Sequence, residues 1–162
     1  MTAEQKLVAC SAQQALSGHG AHACTAHVFE GVDWKMAGKM PRGAPHTLFQ
    51  LMGHMTYWQN WAVKWLDGKK PTPPRHAAGS WPSSSAPVSA EDWKHAVKRY
   101  ERGLETLEKR CTKPDLFARK GKKTALEMIQ AIASHNSYHA GQAAYLRRQL
   151  GAWPPPAGGL SW

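Results

Sequence analysis

The chain has 162 residues, 42% of them hydrophobic, and a formal net charge of +10. That length is expected to make one domain over residues 1–162 with a single core, and no run approaches the roughly 20 apolar residues that a membrane span needs. The positive charge admits nucleic acid, anionic lipid or an anionic small molecule as partner, but no helix-turn-helix, RRM or zinc-knuckle signature supports nucleic acid.

Four helices are expected, each opened by a hydroxyl residue followed three places on by Gln, Glu or Asp, a pattern that satisfies free amides at a helix start. The first, residues 2–17, begins with Thr2 and Gln5 and stops at Gly18; its apolar stripe is thin, with Leu7, Cys10 and Leu16 among alanines. Nothing in Met1 to Lys6 resembles the basic then apolar regions of a signal peptide. The long connection that follows carries His19, His22 and His27, read as loop residues, and a short helical piece is expected around residues 29–34. The second helix, residues 45–66, places Leu51, His54, Trp58, Trp61, Ala62 and Trp65 on one face, with His46 at its entry. Between residues 67 and 88 lie Pro71, Pro73, Pro74, Pro82 and Pro87, a serine run and His76. That stretch is too long for a tight turn. It is expected to cross the length of the molecule, so that the second and third helices run parallel.

The third helix, residues 90–110, carries Trp93, Val97, Tyr100, Leu104, Leu107 and Cys111 at bundle spacing, with charged residues opposite. Most of the basic excess falls between Lys94 and Lys123 and reads first as a solvated helix face. The fourth helix, residues 124–150, aligns Met128, Ile132, His139, Ala143, Leu146 and Leu150, and Gly151 ends it before Pro154, Pro155 and Pro156. No segment alternates with the period of a strand. The fold class is therefore all-α, a four-helix bundle with a long crossover between helices two and three. Cys10, Cys24 and Cys111 form no CxxC pair, which points to reduced thiols and a cytoplasmic location.

His135 and His139 are four apart on the fourth helix, so their imidazoles project the same way, close to its apolar line. His54 projects from the second helix. Two rings from one helix and a third from a facing helix can hold a divalent metal with a coordination position left open. The plainer alternative is a set of core histidines held by hydrogen bonds from neighbours such as Asn136, Tyr138 and Gln142. Neutral imidazole ligands suit Zn(II) or Ni(II). In zincin peptidases the residue after the first histidine is a glutamate base; here it is Asn136, which argues against that proteolytic mechanism. Trp58, Trp61 and Trp65 read as core bulk, and Trp81 and Trp153, each before a proline, as pins that hold loops to the bundle ends.

Two stretches carry a family resemblance. One is Pro45-His46-Thr47-Leu48-Phe49-Gln50-Leu51-Met52-Gly53-His54-Met55-Thr56-Tyr57-Trp58-Gln59. The other is His135-Asn136-Ser137-Tyr138-His139-Ala140-Gly141-Gln142, followed by Leu146-Arg147-Arg148-Gln149-Leu150-Gly151-Ala152-Trp153-Pro154. With the pattern HxxYHxGQ, the chain resembles the DinB/YfiT-like superfamily of metal-binding four-helix bundles. The resemblance implies His54, His135 and His139 as metal ligands, a homodimer, and a divalent-metal-dependent enzyme acting on a small molecule. Characterised relatives include enzymes that use a low-molecular-weight thiol, for isomerisation or S-transfer, and metal-dependent hydrolases; the open position would accordingly activate water or a thiol. Two other readings stay open. One is a non-catalytic, stress-related metal-binding bundle. The other is nucleic-acid binding through the basic face, for which charge is the whole case.

Overall fold

The computed structural model describes residues 1–159. Thr2, Thr47, Ser89 and Thr124 each adopt extended backbone and accept a hydrogen bond from the amide three residues on, and all but Ser89 complete a reciprocal capping box. Behind these caps run α1 (Ala3–Ser17), α3 (Leu48–Leu66), α4 (Ala90–Cys111) and α5 (Ala125–Gln149), with a one-turn α2 (Trp34–Ala37) in the first connection. Gly18 ends α1 with a φ of 74°, a conformation that costs glycine little.

Two element positions and one added hairpin differ from expectation. The second long helix starts at Leu48 rather than residue 45, because Thr47 is its extended cap. The short helical piece is Trp34–Ala37, capped by the Asp33 carboxylate, and not residues 29–34. Two-residue strands, β1 (Arg119–Lys120) and β2 (Lys123–Thr124), pair antiparallel where only loop was expected. Strands that short show no alternation, so periodicity could not reveal them.

The crossover does what its length suggests. Phe49 lies near Trp93, Gln59 lies against Gly103, and Asp67 pairs with Arg110, so partners advance together and α3 and α4 run parallel. Helix α5 runs opposite to α3: Leu48 and Leu51 share a core cluster with Leu146, whereas Leu66 shares another with Ile129. On α5, Ala133 belongs to one cluster and Ala140 to the other, and His135 and His139 lie in the stretch between them.

The core-facing side of α3 also differs from expectation. Met52, Met55, Gln59 and Leu66 are buried with Leu51 and Ala62, while Trp58, Trp61 and Trp65 are only half-buried. The bulk of the tryptophans pulls the apparent apolar face toward them. A helix packed between α4 and α5 buries a wider arc, and the indoles cover its flank. Polar ties fasten the connections: Trp93 Nε1 donates to the Val32 carbonyl and the Tyr100 hydroxyl to that of Thr25, each at 2.7 Å. The basic run of α4 is partly offset by Lys94–Glu91 and Lys109–Glu105 pairs along the exposed helix face. No helix among the described residues is long and apolar enough to cross a membrane.

Arg147 is 2% exposed and donates to the Val28 carbonyl at 2.7 Å and the Ala152 carbonyl at 2.8 Å, joining α5 to both the first connection and the C-terminal turn. Replacing it by Met keeps the apolar stem but leaves two carbonyls without their donor. Arg147→Met is expected to lower unfolding free energy by about 3 kcal/mol, measured by urea denaturation.

Candidate metal centre

Helices α3 and α5 bring His54, His135 and His139 together through their Nε2 atoms. His135 Nε2 lies 3.1 Å from His54 Nε2 and 3.1 Å from His139 Nε2. His54 and His139 are buried and His135 is half-buried. One potential ligand atom from each ring falls within 4.8 Å of the others, so the group could hold a metal ion.

The far side of two rings decides which nitrogen carries the hydrogen. Ser80 Oγ gives its only hydrogen to the Ala77 carbonyl at 2.8 Å, so across the 3.0 Å contact with His54 Nδ1 it must accept. His139 Nδ1 likewise faces Gln142 Oε1 at 2.7 Å, an atom that can only accept. Both rings therefore bear hydrogen on Nδ1 and, when neutral, turn the Nε2 lone pair inward. His135 can offer one hydrogen at most to these two inward lone pairs, so at least one nitrogen of the cluster is left facing a neighbour's lone pair. A cation at the centre satisfies all three. Ligand nitrogens around a tetrahedral zinc at 2.0–2.1 Å stand roughly 3.3 Å apart, close to the spacing here. The donor set fits a divalent metal.

Electrostatics agree. Burial, with help from the neighbouring imidazoles, holds His54 down at about 4; burial and His139 hold His135 at about 4. Burial also lowers His139. All three are thus neutral near pH 7, the form that coordinates. Asn136, fully buried beside His135, opposes the fall in that ring's pKa, yet neither atom of its amide nor His135 Nδ1 has a hydrogen bond of good geometry.

The crossover contributes more than the sequence suggested. Its turn Ala77–Ser80 supplies Ser80, and the next residue, Trp81, stacks on His54 at 3.9 Å between ring centroids and on His46 at 3.7 Å. Trp81 thus lies over a ring of the histidine cluster, and His46 belongs to the same stack rather than merely to a helix entry. This close approach depends on Gly53: a Cβ there would come within 2.3 Å of Pro82 Cγ. Trp58 packs edgewise near His135, with ring centroids 6.3 Å apart. His76 is exposed and takes no part in the cluster. His22, a loop residue as expected, also bonds Ser137 Oγ at 2.9 Å and the Ala23 carbonyl at 2.8 Å, linking the first connection to α5. Serines adjoining prolines look like linker, and only the folded crossover shows that Ser80 meets a histidine.

Two outcomes follow for this centre. Removing the partners of Nδ1, as Ser80→Ala or Gln142→Leu, is expected to weaken Zn(II) binding by about 10- to 100-fold, measured by competition with a chromogenic chelator. In metal-free protein, His54 and His135 titrate near 4 when folded, against about 6.5 when unfolded. Their contribution to stability is therefore complete above about pH 6.5 and is lost as pH falls toward about 4, because the unfolded chain binds the extra protons. Chemical denaturation across that range is expected to show a slope that His54→Gln makes shallower.

A sequence model described as the DinB superfamily matches residues 20–143. Comparison with curated proteins finds no match, nor does comparison with solved structures. The matched span leaves out α1 and the segment from Ala144 onward, but it covers most of the chain and encloses His54, His135 and His139. The protein belongs to the DinB superfamily.

Proposed function

We propose that the protein is a divalent-metal-dependent enzyme whose His54, His135 and His139 hold Zn(II) or Ni(II) beside an open coordination position, and that it acts on a small molecule by hydrolysis or thiol S-transfer. The observation that carries this reading is the inward convergence of three Nε2 atoms whose hydrogens are held on the opposite ring nitrogen in two cases. Membership of a metal-binding family supports it. When bound, the metal would lower the pKa of water or of a low-molecular-weight thiol and present it as a nucleophile at neutral pH.

The chain's own residues supply binding and orientation. Ser80 and Gln142 set the ring planes of His54 and His139. Trp81 covers the flank of His54, and Trp58 lies near His135, so both keep bulk water from the sides of the cluster. Three neutral ligands leave a bound dication its full charge, which favours hydroxide, thiolate or carboxylate in the open position. Asn136, at the position where zincins place their glutamate base, is buried and cannot act as a base, so peptide hydrolysis by that route is not proposed.

The test begins with metal content of untagged protein. About one Zn or Ni per chain is expected, with His139→Ala losing it. A screen of thiol and electrophile pairs and of hydrolysable esters and amides should then find turnover that a chelator abolishes and added metal restores. Bound metal with no turnover on either substrate set would favour a non-catalytic, structural centre.

A further inference from the structure

Beside the histidine cluster, the segment 42–46 and one face of α5 enclose a groove of about 400 Å³, a volume suited to a small organic ligand. Its walls are chiefly apolar, with Ala44, Pro45, Leu51 and Leu146 among them. Tyr138 and Tyr145 stand on the same face of α5, 67% and 62% exposed, and leave their phenol rings to the groove and solvent. Between them along the helix lies Gly141, where an added Cβ would meet no atom within 4 Å. A glycine inside a helix costs about 1 kcal/mol relative to alanine. Here its missing side chain is what leaves the space between the two tyrosines open.

The charge of the groove is one-sided. No Asp or Glu lines it, and Arg42 is its one charged side chain. Arg42 is exposed and has no carboxylate partner among the described residues. The groove is also tied to the cluster. Gln142 lines it while accepting the His139 Nδ1 hydrogen, and His46 lines it while stacking on the indole whose stacking also covers His54.

We propose that this groove binds a small carboxylate with a flat apolar body, the body lying between Tyr138 and Tyr145 over Gly141 and the carboxylate meeting Arg42. A free guanidinium recognises a carboxylate through two parallel N–H donors, and phenol rings offer broad apolar faces to a planar partner. The proposal deepens the proposed activity by naming a substrate class, and it rests on that activity for its catalytic meaning, whereas the binding it asserts does not.

Calorimetric titration of the metal-loaded protein tests it, with trans-cinnamate and its uncharged analogue cinnamamide as probes. Cinnamate is expected to bind one site per chain and the amide about tenfold more weakly, as loss of a charge-assisted contact implies. Arg42→Gln should bring cinnamate down to the level of the amide. Gly141→Leu should abolish binding of both while keeping the metal content and raising the unfolding midpoint by a few degrees, since the new side chain enters empty space and removes a helix-interior glycine; Tyr145→Ala, a truncation at the surface, is the second variant and should weaken both probes. Equal affinity for acid and amide, or cinnamate binding unchanged in Gly141→Leu, overturns the proposal. So does absence of cinnamate binding with a dimer that Gly141→Leu dissociates in sedimentation, which would assign the groove to a second copy of the chain. Cinnamate binding without turnover on any substrate would leave the groove standing and remove the enzymatic reading.

Discussion

Three imidazole nitrogens that point at one another, with hydrogens held on the far side of two of the rings, cannot all be satisfied by one another, and a cation at their centre satisfies all three. Most of what is unusual in this fold serves that convergence. His135 and His139 need only one turn of α5, but His54 reaches them because α3 runs opposite to α5 at that level. The ring of His54 is in turn held by Ser80, a residue far along the chain that arrives only because the crossover passes over α3. The crossover can lie that close because residue 53 is glycine. A bundle with a short second connection would make α3 and α4 antiparallel and would not bring this serine and the adjacent indole over the cluster.

Electrostatic conditions around the centre share a direction. The three imidazoles are neutral, the neighbouring groove contains no carboxylate, and the whole chain is strongly basic. Burial of imidazoles would ordinarily be a pure cost, and here it keeps them deprotonated and available. A dication inside a neutral shell near a free guanidinium attracts anions, so nucleophile and substrate would both be favoured as anionic species. That consistency links the metal reading to the small-carboxylate reading without making either depend on the other's measurement.

Stability and function draw on different parts of the structure. The two apolar clusters lie toward opposite ends of the bundle, with the histidines of α5 in the stretch between them. Arg147, Tyr100 and Trp93 fasten the irregular first connection by bonds to backbone carbonyls, so that segment 42–46 is presented as one wall of the groove. The tryptophans of α3 belong to neither role alone. Half-buried on its flank, they extend the core, and Trp58 among them covers the side of the cluster near His135.

Local signals were legible in the amino-acid sequence because they act over three or four residues. The four caps, the apolar stripe of α4 and the shared face of His135 and His139 follow from helical geometry alone. The length and proline content of the crossover also carried its topology, since such a chain cannot make a tight turn. What the sequence could not show is which distant side chains meet. Ser80 on His54, Trp81 between His46 and His54, the open space above Gly141 and the tie from His22 to Ser137 all join residues remote in the chain or irregular in backbone. No periodicity encodes such pairings; they are decided when the helices pack and the loops settle against them.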